Sequence, residues 1–201
     1  MIERWALISG LKGDLDTYEL IQKDLKKTPG NITLFILGDM IGPEKNCNKL
    51  LHRLINPKSN DLQPWCIYGW WEEQILLESG YRGNQRAEAL RINKGEEVVK
   101  SLINAVDKSF LDWIAALQFG FVELDCGLIH GSSKDVGENL TLDTPPLTLL
   151  DRLTRLQVNR LFTARSKQQF HLELTEGIVN SEVEDLNTGL KTKIHPPPLN
   201  K

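Results

Sequence analysis

Short apolar runs alternate along the chain with longer amphipathic segments, and each run stops at glycine or a polar residue. Trp5, Ala6, Leu7 and Ile8 lead through Ser9 to Gly10, Gly13 and Asp14, the pattern of a buried strand entering a tight loop. Asp14 is placed to cap a helix, Asp16 and Glu19 suit its positive end, and Leu15, Tyr18, Ile21, Gln22 and Leu25 share one side of it. That helix ends before Pro29-Gly30. A strand over 32–37 follows, and its unbroken run of Leu34, Phe35, Ile36 and Leu37 marks burial on both faces of an α/β sheet. The strand-helix-strand order predicts a parallel pair with a right-handed crossover.

The same pattern continues with a helix over 46–55, a loop over 57–61 and a third strand over 65–68. This strand ends in Gly69-Trp70-Trp71-Glu72, read as a loop before a helix through Ile75, Leu76 and Leu77 to Ser79-Gly80. Two adjacent indoles there either cap the core or bind something, and the sequence leaves both open. Helices are expected over 85–92, 96–106 and 108–117, then a hairpin of 119–124 and 126–130 around Asp125 that delivers His130 to a strand terminus. A polar loop (132–146), a helix (147–156) and a strand (158–163) lead to Ala164-Arg165-Ser166-Lys167. Strands over 170–174 and 177–180 belong to a second sheet, with 190–194 a further strand. His195 with Pro196, Pro197 and Pro198 begins a stiff, extended tail. The expected organisation is one domain over 1–194 and a proline-rich tail over 195–201.

Composition narrows the function classes. A chain of 201 residues can bury a core without disulfides, and the three widely spaced cysteines, Cys47, Cys66 and Cys126, form no Cys-x-x-Cys pair. With 24 Lys+Arg against 27 Asp+Glu the net charge is -3, so no global field gathers nucleic acid or anionic membrane. No apolar run approaches the ~20 residues of a membrane span, and the start lacks the pattern of a secretory leader. The expectation is a cytoplasmic protein without nucleic acid or a membrane span.

Ligand crevices in α/β sheets open outside the carboxyl ends of the strands, which puts Asp39 and His130 first among the candidate site residues. The strand ends taken in order, at Gly10, Asp39, Gly69, His130 and Ala164, resemble the five motifs of the calcineurin-like metallophosphoesterase family over nearly the whole chain. Ser9-Gly10-Leu11-Lys12-Gly13-Asp14 stands for Asp-x-His-Gly-Asn/Asp, and Gly38-Asp39-Met40-Ile41-Gly42 for the Gly-Asp motif. Gly69-Trp70-Trp71-Glu72 replaces Gly-Asn-His-Asp/Glu, His130-Gly131 keeps the His-Gly motif, and Ala164-Arg165-Ser166-Lys167 replaces Gly-His-Thr-His. The resemblance implies an α-β-β-α architecture, a two-sheet β-sandwich flanked by helices, whose strand-end loops hold two metal ions.

Of eight positions that ligate metal or stabilise the reacting phosphate in that pattern, Asp39 and His130 survive, while Gly10, Lys12, Trp70, Trp71, Arg165 and Lys167 occupy the others. Two-metal hydrolysis needs carboxylate and imidazole lone pairs, and lysine, arginine and tryptophan supply none. The reading is therefore a degenerate member, a pseudoenzyme that needs no cofactor and serves as a protein-binding, scaffolding or regulatory subunit with a protein partner. Two alternatives stand beside it. One is a phosphoesterase with an atypical or mononuclear site for manganese or another divalent metal, using His130 and Asp39. The other is a metal-free sensor of a phosphate-bearing small molecule or nucleotide, with Lys12, Arg165 and Lys167 as cations and Trp70 or Trp71 as a stacking face. If no ligand binds, the cations neutralise Asp39 in an internal salt-bridge network.

Overall fold

The computed structural model describes residues 3–166, 169–175, 178–184 and 191–194. Its first sheet is parallel, in the order β1 (Glu3–Ile8), β2 (Asn31–Leu37), β3 (Pro64–Ile67), with α1 (Leu15–Lys27) and α2 (Asn48–Ile55) as the crossovers. Asp14 caps α1 by accepting the Thr17 N–H at 3.0 Å, and Lys26 and Lys27 sit in its last turn, where the dipole favours cations. The period-two geometry of β2 sends alternate side chains to opposite faces. Leu34 and Ile36 pack with Tyr18 of α1 and Leu50 and Leu54 of α2. Phe35 and Leu37 pack with Ile67 and with Leu128, Phe121 and Ala164 from the second sheet and its margin.

That second sheet has the order β4 (Gly120–Glu123), β5 (Cys126–Ile129), β6 (Arg160–Thr163). The hairpin around Asp125 is antiparallel, and β6 returns parallel to β5 through α7 (Pro146–Leu156). One isolated bridge, Ile67 to Gln118, joins the edge of the first sheet to the residues leading into β4. Between the sheets in sequence lie α3 (Trp70–Glu78), α4 (Glu88–Lys94), α5 (Glu96–Asn104) and, after a single 3-10 turn, α6 (Leu111–Ala116). Their apolar sides meet in a cluster that includes Trp71, Ile75, Leu90, Val99, Leu102 and Ile114.

Three expectations are corrected. The tryptophans do not stand in a loop: Gly69 is the N-cap and Trp70 opens α3. The segment 108–117 is a 3-10 turn followed by the six-residue α6 rather than one continuous helix. The late strands, expected in a second sheet, lie in a third. Instead β7 (His171–Thr175), β8 (Ile178–Glu184) and β9 (Lys191–Ile194) form an antiparallel sheet of their own, because neighbours joined by short connections pair locally. Lys167, Gly177 and the tail 195–201 lie outside the described residues. Among those described, no helix is long and apolar enough to cross a membrane.

Candidate functional site

The site forms where the parallel strands end. Beyond β1 the chain runs alongside the residues beyond β2, with the Gly10, Lys12 and Gly13 N–H groups donating to the carbonyls of Gly38, Asp39 and Met40 at 3.2, 3.0 and 2.7 Å. The Ser9 hydroxyl adds bonds to the Leu37 and Gly38 carbonyls, both at 3.0 Å. Gly38 and Asp39 have φ of +75° and +53°, a left-handed turn that reverses the chain and aims the Asp39 side chain toward α3. The loops after β2 and β3 then touch: a Cβ on Gly38 would lie 2.4 Å from the Gly69 Cα.

Glu72, in the first turn of α3, fastens this contact. Its Oε2 accepts the N–H groups of Asp39 at 2.9 Å and Gly69 at 2.8 Å, and its Oε1 accepts that of Ile41 at 3.0 Å. The side chain is fully buried, and burial, followed by the nearby Asp39 carboxylate, pushes its pKa up to about 7. Three N–H donors pull the other way by favouring the carboxylate.

Asp39 is 8% exposed, and its Oδ1 accepts the Trp71 N–H at 3.2 Å, so the carboxylate sits at the positive end of α3. His130 follows β5 and is buried. Its Nδ1 lies 2.7 Å from the Leu37 carbonyl, which can only accept, so Nδ1 carries the proton and a neutral ring presents the lone pair of Nε2. That Nε2 is 3.4 Å from Asp39 Oδ1 and has no hydrogen-bond partner among the described residues. Burial, chiefly, holds the imidazole below its ordinary pKa; Asp39 opposes the shift and Arg165 adds to it.

Trp70 and Trp71 are each 7% exposed and meet edge to face, with centroids 4.8 Å apart. Trp71 belongs to the apolar cluster of the middle helices, and Trp70 carries the Arg165 guanidinium 4.5 Å from its ring centroid. Arg165 is placed there by backbone: its N–H and that of Ala164 both donate to the His130 carbonyl at 2.8 Å. Among the described residues neither Arg165 nor Lys12 has a carboxylate within the 4.0 Å of an ion pair, so the expected network around Asp39 is absent there. The stem of Lys12 instead lies over Gly42. Beyond His130, Arg152 of α7 holds the loop in place through Nε and Nη2 bonds to Glu138 at 2.6 and 2.7 Å, while the Ser132 hydroxyl donates to the same carboxylate. Arg152 draws the Glu138 pKa down to about 2.

The structure brings Asp39, His130, Trp70, Trp71 and Arg165 together at the strand ends. The residues do not fit a two-metal centre. Among the described residues no group of three or more His, Cys, Asp or Glu side chains gathers to hold a metal ion. Asp39 Oδ1 and His130 Nε2 point at each other as a pair of acceptors, and the nearest further carboxylate, Glu72, has both oxygens engaged by backbone N–H groups. Glu72 and the Arg152–Glu138 pair were not singled out for a role from the sequence. A glutamate three residues after the glycine that caps α3 was the available sign for the first.

The architecture and the crevice at the carboxyl ends of its strands define a metallophosphoesterase-like α/β fold. Among solved structures, the chain is similar to a metallophosphoesterase from Sphaerobacter thermophilus, at a TM-score of 0.52 and 13% identity over 79% of this chain. It spans 58% of that protein's length, and the likeness is one of fold. No protein-family model matches the chain, and no curated protein matches it.

Proposed function

We propose that this chain is a degenerate metallophosphoesterase whose two-sheet sandwich persists as a binding, scaffolding or regulatory subunit without two-metal hydrolysis. The observation that carries the reading is the fate of the crevice. Its loops keep their positions through the Glu72 carboxylate, while its lining offers one carboxylate, one imidazole and a guanidinium over an indole. Two cations held ~4 Å apart need bridging and terminal acceptors that this lining lacks, and Arg165 adds positive charge beside the place they would occupy. The contact of Phe35 and Leu37 with Phe121 and Leu128 supports the sandwich. A protein partner is supported by the aromatic surface at the edge of β3 and β4, where Trp65 is 57% exposed and packs edge to face on Phe121.

The test is metal content of the purified chain together with hydrolysis of p-nitrophenyl phosphate and its diester in added manganese, beside His130→Ala. The expected result is no stoichiometric metal and no turnover above that variant. Turnover abolished by His130→Ala would replace this reading with a phosphoesterase of unusual site.

A further inference from the structure

Among the described residues β3 is the edge of its sheet, with β2 on one side. On the other side the chain entering β4 meets it at the Ile67–Gln118 bridge and through the Tyr68 N–H, which donates to the Gln118 carbonyl at 3.1 Å. Towards Pro64 the two part, and a cavity of about 250 Å³ opens along the strand edge. Trp65, Phe121 and, from α6, Trp113 line it, with Gln63 and Gln118 beside them. Trp65 and Phe121 meet edge to face with centroids 5.9 Å apart, yet Trp65 stays 57% exposed, so the described residues leave an aromatic wall of the groove uncovered.

The chain itself carries a segment with the chemistry to cover it. Pro196, Pro197 and Pro198 have fixed φ and no N–H, so this stretch favours polyproline II and cannot add to the β3 edge as a strand. Aromatic-lined grooves take such chains because their shape is set in advance and little order is lost on docking. Their carbonyls stay bare, and the indole N–H groups of Trp65 and Trp113 and the side-chain amides of Gln63 and Gln118 are donors suited to them. Length is sufficient. Residues 195–201 follow β9 directly, and at ~3.1 Å per residue they reach about 22 Å. The connection 164–170 joins β6 to the β7–β9 sheet, and β4 at the groove lies across three strands from β6, about 10 Å at ~4.8 Å between neighbours.

We infer that the proline-rich segment His195 to Lys201 of this same chain docks in the groove between β3 and β4, with its proline rings against Trp65, Trp113 and Phe121. Docked there, it covers the aromatic surface offered above to a protein partner, and a partner has to displace it to reach Trp65. That consequence rests on the partner reading; the docking itself does not.

The test is the indole N–H spectrum of the full chain labelled with nitrogen-15 tryptophan, in which Trp65→Phe and Trp113→Phe assign two of the five resonances. Pro196→Ser, Pro197→Ser and Pro198→Ser made together are expected to shift the Trp65 and Trp113 resonances and to leave those of Trp5, Trp70 and Trp71 in place. Cross-peaks from proline ring protons to the Trp65 indole are expected in the wild-type chain and lost in the triple variant. Unmoved Trp65 and Trp113 resonances, or equal movement of all five, overturn the docking and leave the aromatic surface open to a partner. Unlabelled wild-type chain is also added to labelled triple variant: if it restores the wild-type positions, the segment comes from a second copy and the same-chain arrangement is overturned. If it leaves them unchanged, the docking is within one chain.

Discussion

Glu72 Oε2 accepts the Asp39 N–H at 2.9 Å, so a residue 33 positions further along the chain holds the turn that follows β2. Glu72→Gln replaces one acceptor oxygen with an NH2 group that must face backbone N–H donors. At pH 5, where the folded side chain keeps its proton and its hydroxyl oxygen still offers a lone pair that an NH2 group lacks, the expected loss is about 1–3 kcal/mol, measured as a lower urea midpoint at unchanged slope. An unchanged midpoint would remove Glu72 from its role as a fastener.

The same carboxyl group gives stability a pH dependence. Its folded pKa of about 7 lies above the ordinary 4.5, so between these values the folded chain keeps a proton that the unfolded chain has released. This contribution is complete below pH 4.5 and is lost as pH rises through about 7; its size is on the order of 3 kcal/mol. Wild type is therefore expected to lose stability relative to Glu72→Gln between pH 5 and pH 8, as read by thermal unfolding of both proteins across that range. A constant difference between them would contradict the shift.

Gly69 tests the close approach of the two loops. A Cβ there would stand 2.3 Å from the Asp39 backbone nitrogen, which no side-chain rotation relieves. Gly69→Ala is expected to destabilise by about 3 kcal/mol or more. Gly10→Ala meets nothing within 4 Å and bears only its φ of +74°, for a loss of about 1 kcal/mol. Equal losses from the two substitutions would refute the contact.

Arg152 fixes the loop that carries Ser132 and Glu138. Removing the guanidinium in Arg152→Met is expected to lower stability by about 1–3 kcal/mol and to speed hydrogen exchange at the Ser132 and Glu138 amides. In wild type, Glu138 is held down to about 2, so its contribution is present above pH 4.5 and disappears as pH falls toward 2. Because that carboxylate is a quarter exposed, the contribution is discounted to roughly 1 kcal/mol. The acid limb of the stability curve is expected to be shallower in the variant.

Much of the fold was legible because its elements carry strong periodicity. The continuous apolar run of β2, the capped and amphipathic α1 and the hairpin around Asp125 follow from local pattern. Asp39 and His130 were legible as residues at strand ends, and the crevice does join them. Pairing was less so: nothing in the pattern of 171–184 states that β7 and β8 avoid the sheet of β5 and β6. The tryptophans were misplaced because large aromatics after a glycine look like loop residues until the helix dipole and Glu72 are considered together. The partner of Arg165 was illegible for a related reason. Charge complementarity suggested Asp39, but that carboxylate is turned toward the Trp71 amide and the guanidinium toward an indole.

The Glu72 fastener joins the turns after β2 and β3 entirely through main-chain amides, which every residue except proline possesses. Mutational drift can therefore rewrite the chemistry of the cradle, from chelation to cationic or aromatic character, without dismantling the cradle itself. The register of the two turns is therefore set by the main chain and one carboxylate, independently of the side chains that line them.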